Sequence, residues 1–115
     1  MTLLQEAFAQ ARADGDILPV FEPFIVAKLF VIGALDGNGQ ANIALKSSPG
    51  DGRMCATVSE NPVWLAGVPE SRKLPITGRK LIQLLNEGTD VVIIYGDGGD
   101  LLQHEYVEAF RQALD

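Results

Sequence analysis

Apolar residues recur at helical spacing near the start of the chain. Residues 2–13 predict a helix, because Thr2 and Gln5 form a Thr-x-x-Gln capping box in front of the repeat. Gly15 supplies the stop for this helix. Residues 19–27 are ambiguous, and a short helix is one alternative, because the segment's leading proline suits a first helical turn. In that alternative the residues facing inward are Phe21, Phe24 and Ile25.

Three later stretches also predict helices. The Asn-Pro pair at 61–62 is typical of a helix start, with asparagine as the cap and proline in the first position. Residues 77–87 carry an apolar stripe behind a threonine cap, and a glycine follows them. A closing helix is expected over 101–114, where Asp100 and Gln103 form a second capping box.

Strand patterns lie between these helices. Bulky β-forming residues dominate 28–33, and 41–47 alternates apolar and polar positions. A third strand is expected over 53–59. Turn sequences at 36–39 and 48–52 separate the three, so this part of the chain predicts an antiparallel meander.

The second half of the chain adds two more strands. Residues 72–76 predict a brief strand, and 89–95 carry a continuous apolar run that is typical of a central strand covered on both faces. A glycine-rich loop at 96–99 follows. Together the patterns predict one α+β domain over 1–115 with α/β-like character. Its mixed sheet would have about five strands, with helices packed on the sheet faces.

The order of these segments resembles that of a bacterial protein family. The segments that carry the resemblance are Leu29-Phe30-Val31, then Ser59-Glu60-Asn61-Pro62-Val63-Trp64-Leu65, then Leu74-Pro75-Ile76-Thr77-Gly78-Arg79-Lys80-Leu81-Ile82-Gln83-Leu84-Leu85. This arrangement is similar to the N-terminal domain of the SseB (enhanced serine sensitivity) family. The resemblance implies a mixed α/β domain in the bacterial cytoplasm, and it implies no established chemistry.

Charge narrows the classes of partner. The formal net charge is −6, and the fifteen acidic residues are spread along the chain. Such a surface repels phosphate backbones and anionic lipid headgroups, so we expect neither nucleic acid nor membrane as a partner. The most apolar stretch, 17–35, is interrupted by charges and prolines, which favours a core segment over a membrane span.

Candidate catalytic residues are few. The only cysteine, Cys55, lies in a predicted strand and is expected to be a buried small hydrophobe, in keeping with a reducing cytoplasm. The only histidine, His104, has polar neighbours and is expected on the solvent face of the last helix. A hydrolase needs a nucleophile and a base within reach of each other, and zinc needs three or four ligands. We therefore expect no catalytic centre, cofactor or metal.

Two surfaces are candidates for binding. Four of the nine basic residues fall within nine positions, and they are Arg72, Lys73, Arg79 and Lys80. The last two lie in the first turn of a predicted helix, where the helix dipole disfavours cations, so they are candidates to receive a carboxylate or a phosphate. The Gly96–Asp100 loop lies between a strand and a helix, a position that holds phosphate in doubly wound folds, although its own acids oppose an anion.

Two aromatic residues are candidate interface anchors. Phe21 and Trp64 lie in short or irregular segments, where aromatic side chains either cover the end of a sheet or bind a partner. The sequence thus leaves two functions open. One is a non-catalytic interaction or regulatory module that binds a protein partner or associates with itself. The other is a binder of a small anionic metabolite, or a weak enzyme, at Arg79-Lys80 or at the Gly96–Asp100 loop.

Overall fold

The computed structural model describes residues 2–35, 37–47 and 53–114. The predicted turn at 48–52 lies outside these residues. Within them the chain forms α1 (Leu3–Asp14), α2 (Leu18–Val26), α3 (Gly78–Leu84) and α4 (His104–Leu114), and two 3-10 turns at Pro62–Trp64 and Glu70–Arg72. The strands are β1 (Lys28–Leu35), β2 (Ala41–Ile43), β3 (Leu45–Ser47), β4 (Met54–Ser59), β5 (Lys73–Thr77), β6 (Asp90–Tyr95) and β7 (Gly98–Leu102).

The seven described strands form one mixed sheet, so the predicted α+β class is confirmed. The path β2-β1-β4-β6-β7 runs through it, while β3 pairs with β4 and β5 pairs with β1. Only β4 and β6 run parallel among the described pairs, with Cys55 opposite Asp90 and Val58 opposite Ile93. A parallel pair needs a long crossover, and the segment with β5 and α3 provides it.

Strand number exceeds the expected five for two reasons. The expected strand over 41–47 is divided at Ala44, because β2 pairs with the end of β1 whereas β3 pairs with β4. The expected loop and helix start after β6 instead contain β7, which pairs antiparallel with β6 and places Leu102 opposite Val91. The prediction that α4 begins at 101 was therefore wrong. Leu101 and Leu102 belong to β7, because they bury more surface in the sheet than on the solvated first turn of a helix.

Local signals set most helix ends as expected. The Thr2 hydroxyl accepts a hydrogen bond from the backbone N–H of Gln5 at 3.1 Å, and Gly15 ends α1 in the left-handed conformation with φ 67°. Thr77 caps α3 in the same way. However, α3 ends at Leu84 rather than near 87, since Leu85 is extended and turns into the core.

The core lies on one face of the sheet. Residues from all four helices join one buried cluster with alternate residues of the strands, such as Val31, Val58 and Ile93. On the other face Val92 and Ile94 are only half-buried. The expectation that this strand is covered on both faces was therefore wrong, because the described helices pack on the opposite side.

Close backbone contact joins α2 to the start of α3. The backbone N–H of Gly78 donates to the carbonyl of Ala27 at 3.1 Å, and a Cβ placed on Gly78 would lie 1.8 Å from the carbonyl oxygen of Phe24. No flexible side chain can move to relieve that overlap, so only glycine fits here.

We expect Gly78→Ala to lower the free energy of unfolding by about 3 kcal/mol or more, because α2 must move away from α3. Urea unfolding followed by circular dichroism measures this loss. Gly37→Ala is the matched control, since a Cβ there meets nothing within 4 Å, and it should cost less than about 0.5 kcal/mol. Equal stability of the two variants would contradict the close packing of α2 on α3.

Candidate functional site

A groove, defined here as a row of neighbouring clefts, lies between α1 and the β6–β7 hairpin. It consists of three adjoining clefts of about 240, 190 and 420 Å³. The first two share Gln5 and Asp97, and the last two share Arg12 and Asp100. The first cleft is lined by Thr2, Gln5, Trp64, Gly96 and Asp97. The middle cleft, named here the Tyr95 cleft, is lined by Gln5, Arg12, Tyr95, Asp97, Gly98, Gly99 and Asp100. The largest is lined by Phe8, Ala11, Arg12, Gly15, Asp16, Ile17, Asp100, Leu101, Gln103 and Tyr106.

The hairpin wall of the groove depends on glycines. The indole of Trp64 packs against the Gly96 backbone so closely that a Cβ there would lie 2.7 Å from Nε1. Gly98 adopts φ 151°, a value that L side chains rarely take. A Cβ on Gly99 would lie 2.7 Å from the Ile93 carbonyl oxygen. Sequence reasoning found the need for glycine here but assigned it to a turn into a helix, whereas the glycines form a hairpin.

An ion pair ties the two walls together. The guanidinium Nη1 of Arg12 on α1 contacts the Oδ1 atom of Asp100 on β7. The Asp100 side chain is 5% exposed whereas that of Arg12 is 62% exposed. Asp100 was expected to cap the last helix, and that was wrong, because its carboxylate instead faces the core side of the sheet next to α1. The helix N-terminus is capped by Asp90, whose Oδ1 accepts from the backbone N–H of His104 at 2.7 Å.

A buried hydroxyl lies at the middle of the groove. Tyr95 is 5% exposed and lines the Tyr95 cleft, and its Oη completes no hydrogen bond of good geometry among the described residues, although the Asp100 carboxylate is a hydrogen-bonding neighbour. Burial raises the pKa of the Tyr95 hydroxyl above its ordinary value, and the nearby Asp100 and Glu60 carboxylates raise it further. The hydroxyl therefore stays protonated at neutral pH and remains able both to donate and to accept.

The first cleft is acidic. The Thr2 hydroxyl donates to Glu60 Oε1 at 2.6 Å, and Gln5 Nε2 donates to Asp97 Oδ1 at 3.1 Å. The carboxylates of Asp100 and Glu60 act on the Tyr95 hydroxyl and Asp97 lines the same cleft, so carboxylates outnumber the single guanidinium of Arg12. This field favours a cation and opposes the anion that the loop was considered to hold.

The four basic residues do not form one surface. Arg72 and Lys73 lie at one end of β5, and Arg79 and Lys80 lie beyond the other end. Arg72 Nε donates to the Gly33 carbonyl at 2.7 Å, and Lys73 Nζ lies 2.9 Å from Glu70 Oε1. The other two cations are exposed, and neither lines any of the clefts described above.

The two candidate anchors are also separated. Phe21 packs edge-on against Phe110, with ring centroids 5.1 Å apart, and belongs to the helical layer. Trp64 lies edge-on against Tyr95 at 6.4 Å and covers the end of the sheet, where it also lines the first cleft. Only Trp64 therefore reaches the candidate site.

The two candidate catalytic residues, Cys55 and His104, both neighbour Asp90 without forming a reactive set with it. Cys55 is the strand partner of Asp90, and Asp90 Oδ1 lies 3.1 Å from the Nδ1 atom of His104. The expectation that His104 faces only solvent was thus wrong. Burial raises the pKa of the Cys55 thiol, with the Asp90 charge in the same direction, so the nucleophilic thiolate is disfavoured. None of the three residues lines the groove.

Comparison with known proteins finds no relative of this chain. No family model, curated protein or solved structure matches the chain. Within the described ranges, no three His, Cys, Asp or Glu side chains gather closely enough to hold a metal ion. Nor does any described helix have the length and apolar character needed to cross a bilayer.

Sequence reasoning missed three residues of the groove, Gln5, Arg12 and Tyr95. The only local signal for Arg12 is a basic residue in the last turn of a helix, which is ordinary. Its contact with Asp100 joins positions 88 residues apart. In the sequence, Tyr95 is the last residue of an apolar strand. Only the folded structure shows that its hydroxyl is buried without completing a hydrogen bond.

We expect Arg12→Gln to lower the free energy of unfolding by about 2 kcal/mol, because it leaves the Asp100 carboxylate buried without its cation. Adding Asp100→Asn should recover most of this loss, since the double variant buries no charge. Arg79→Gln is the matched control on an exposed arginine and should cost less than about 0.5 kcal/mol. Chemical unfolding of these four proteins and of Asp100→Asn alone gives the comparison, and additive effects of the two groove substitutions would refute the coupling.

Tyr95→Phe is expected to reduce the loss of stability at alkaline pH. Above about pH 10 a tyrosine of the unfolded chain ionises while the buried Tyr95 keeps its proton. The unfolded state then binds fewer protons, and the free energy of unfolding falls by up to about 1.4 kcal/mol per pH unit from this group. Urea unfolding of the wild type and of Tyr95→Phe between about pH 9 and pH 11 measures the two slopes, and equal slopes would contradict this prediction.

Proposed function

We propose that this chain is a non-catalytic interaction module that binds an extended peptide segment of a partner protein in the groove between α1 and the β6–β7 hairpin. The observation that supports this most directly is that three neighbouring clefts lie in a row and share lining residues. They follow one another along α1, whose twelve residues span about 18 Å. That length suits about five residues of extended peptide.

The edge of β7 supports an extended ligand. Within the described residues β7 is the last strand of the sheet path, and no strand pairs with its outer edge. The largest cleft includes both Asp100 and Leu101, whose side chains leave opposite faces of β7, so this cleft reaches around the strand edge. Peptides commonly bind such edges by adding a strand, and side-chain pockets nearby then supply specificity.

The other sheet edge is built differently. At β5, Pro75 removes a backbone donor and Lys73 adds a charged side chain, which are two of the ways in which proteins prevent strand addition. The sequence of β7, Gly-Gly-Asp-Leu-Leu, contains neither proline nor lysine. Of these two edges, β7 is therefore the one open to a partner.

The remaining expectations fit this proposal. The buried Cys55 thiol with its raised pKa and the hydrogen-bonded Asp90–His104 pair supply no activated nucleophile. A bacterial cytoplasmic location and membership of the SseB family remain part of the proposal, and they rest on the lone cysteine and on the sequence resemblance.

The proposal is tested by panning a random peptide library against the full chain and measuring the selected peptides by isothermal titration calorimetry. We expect selected peptides to bind the wild type, and Gln103→Trp to weaken them at least about tenfold by filling the largest cleft. Gln83→Trp is the matched control, since Gln83 is an exposed residue of α3 that lines none of the described clefts.

The same experiment has two contrary outcomes. If no peptide is enriched, or if the two tryptophan variants weaken binding equally, the groove is not the binding surface. If sedimentation instead shows a dimer that Gln103→Trp alone dissociates, the β7 edge pairs with a second copy of the chain, and the proposal of a separate peptide partner is wrong.

A further inference from the structure

The Tyr95 cleft offers an unusual set of free acceptors. Tyr95 Oη is buried and completes no hydrogen bond of good geometry among the described residues, so that beside its neighbour Asp100 it can still accept from a ligand. Gln5 donates through Nε2 to Asp97 Oδ1, which leaves the amide oxygen of Gln5 without a hydrogen bond to any other described residue. The exposed Asp97 carboxylate itself can accept more than one hydrogen bond. These three groups all line the same space of about 190 Å³.

We propose that the Tyr95 cleft is the specificity subsite of the groove and that it binds the ammonium group of a lysine side chain in the docked segment. This inference rests on the proposed function. An ammonium group is compact and carries three donors, which matches three acceptors from Tyr95, Gln5 and Asp97. A buried hydroxyl that lacks a partner costs free energy, and a donor from the ligand removes that cost.

The surrounding charge selects a cation. The carboxylates of Asp100 and Glu60 act on the hydroxyl and Asp97 lines the same cleft, while Arg12 compensates only one of them through its contact with Asp100. A carboxylate or phosphate in the same place would face an uncompensated negative field. The guanidinium of an arginine ligand would need to lie beside Arg12, which carries the same charge. Asp100 is the carboxylate best placed for a bidentate pair with it, and the contact with Arg12 already occupies that carboxylate.

The walls of the cleft leave room for the lysine stem. Gly98 and Gly99 contribute no side chains, and a Cβ on Gly98 would meet nothing within 4 Å. The Trp64 ring lines the adjoining cleft and supplies an apolar surface on which methylene groups can lie. A lysine can thus enter from the groove while the peptide backbone follows the edge of β7.

The test compares single-residue variants of one selected peptide by calorimetry. At the position that enters the cleft, lysine should bind at least about tenfold more tightly than alanine, arginine or glutamate. Asp97→Asn and Tyr95→Phe should each remove most of this preference while leaving the alanine peptide unchanged. Asp14→Asn, an exposed acid on α1 outside the cleft, should leave the preference intact.

Other outcomes separate the two proposals. Equal binding of the lysine and alanine peptides overturns the subsite and leaves the peptide groove standing, whereas failure of every peptide overturns the groove. Tighter binding of the arginine peptide also overturns the lysine assignment. n-Butylamine alone should not match the affinity of the peptide, and if it does, the cleft is a small-amine site and not part of a peptide groove.

Discussion

The parallel pairing of β4 with β6 is the constraint on which the rest of the structure depends. These strands bury Ala56, Val58, Val91 and Ile93 against the helices. Because β4 occupies one edge of β6, a hairpin that follows β6 has only the opposite edge available, so β7 becomes the edge of the sheet. The groove beside α1 is therefore a consequence of strand order and not of a special loop.

The ion pair between Arg12 and Asp100 then determines how α1 lies against this edge of the sheet. A carboxylate on the core side of an edge strand is costly unless a cation meets it. Since the cation comes from α1, the ion pair joins the helix to β7, and clefts lie on either side of this contact.

Patterns along the chain predicted elements whose causes are local. Thr2, Gly15 and Thr77 act through hydrogen bonds or backbone angles within a few residues, and the two helix starts and the one helix end that they predicted are confirmed. The failures share a different cause. Leu101 and Leu102 fit a helix or a strand equally well, and only pairing with β6 decides between them. The site also depends on contacts between distant segments, because α1 and the hairpin are separated by more than eighty positions of sequence.

The hydroxyl of Tyr95 is not explained by packing. Phenylalanine would fill the same volume without burying a polar atom, so packing alone gives no reason for tyrosine at the end of β6. The hydroxyl lies among groups that already serve structural purposes, since Arg12 and Asp100 join α1 to β7 and Trp64 covers the sheet end. A buried polar atom for which the fold completes no hydrogen bond of good geometry, beside a cleft, is best explained by a group that arrives from outside.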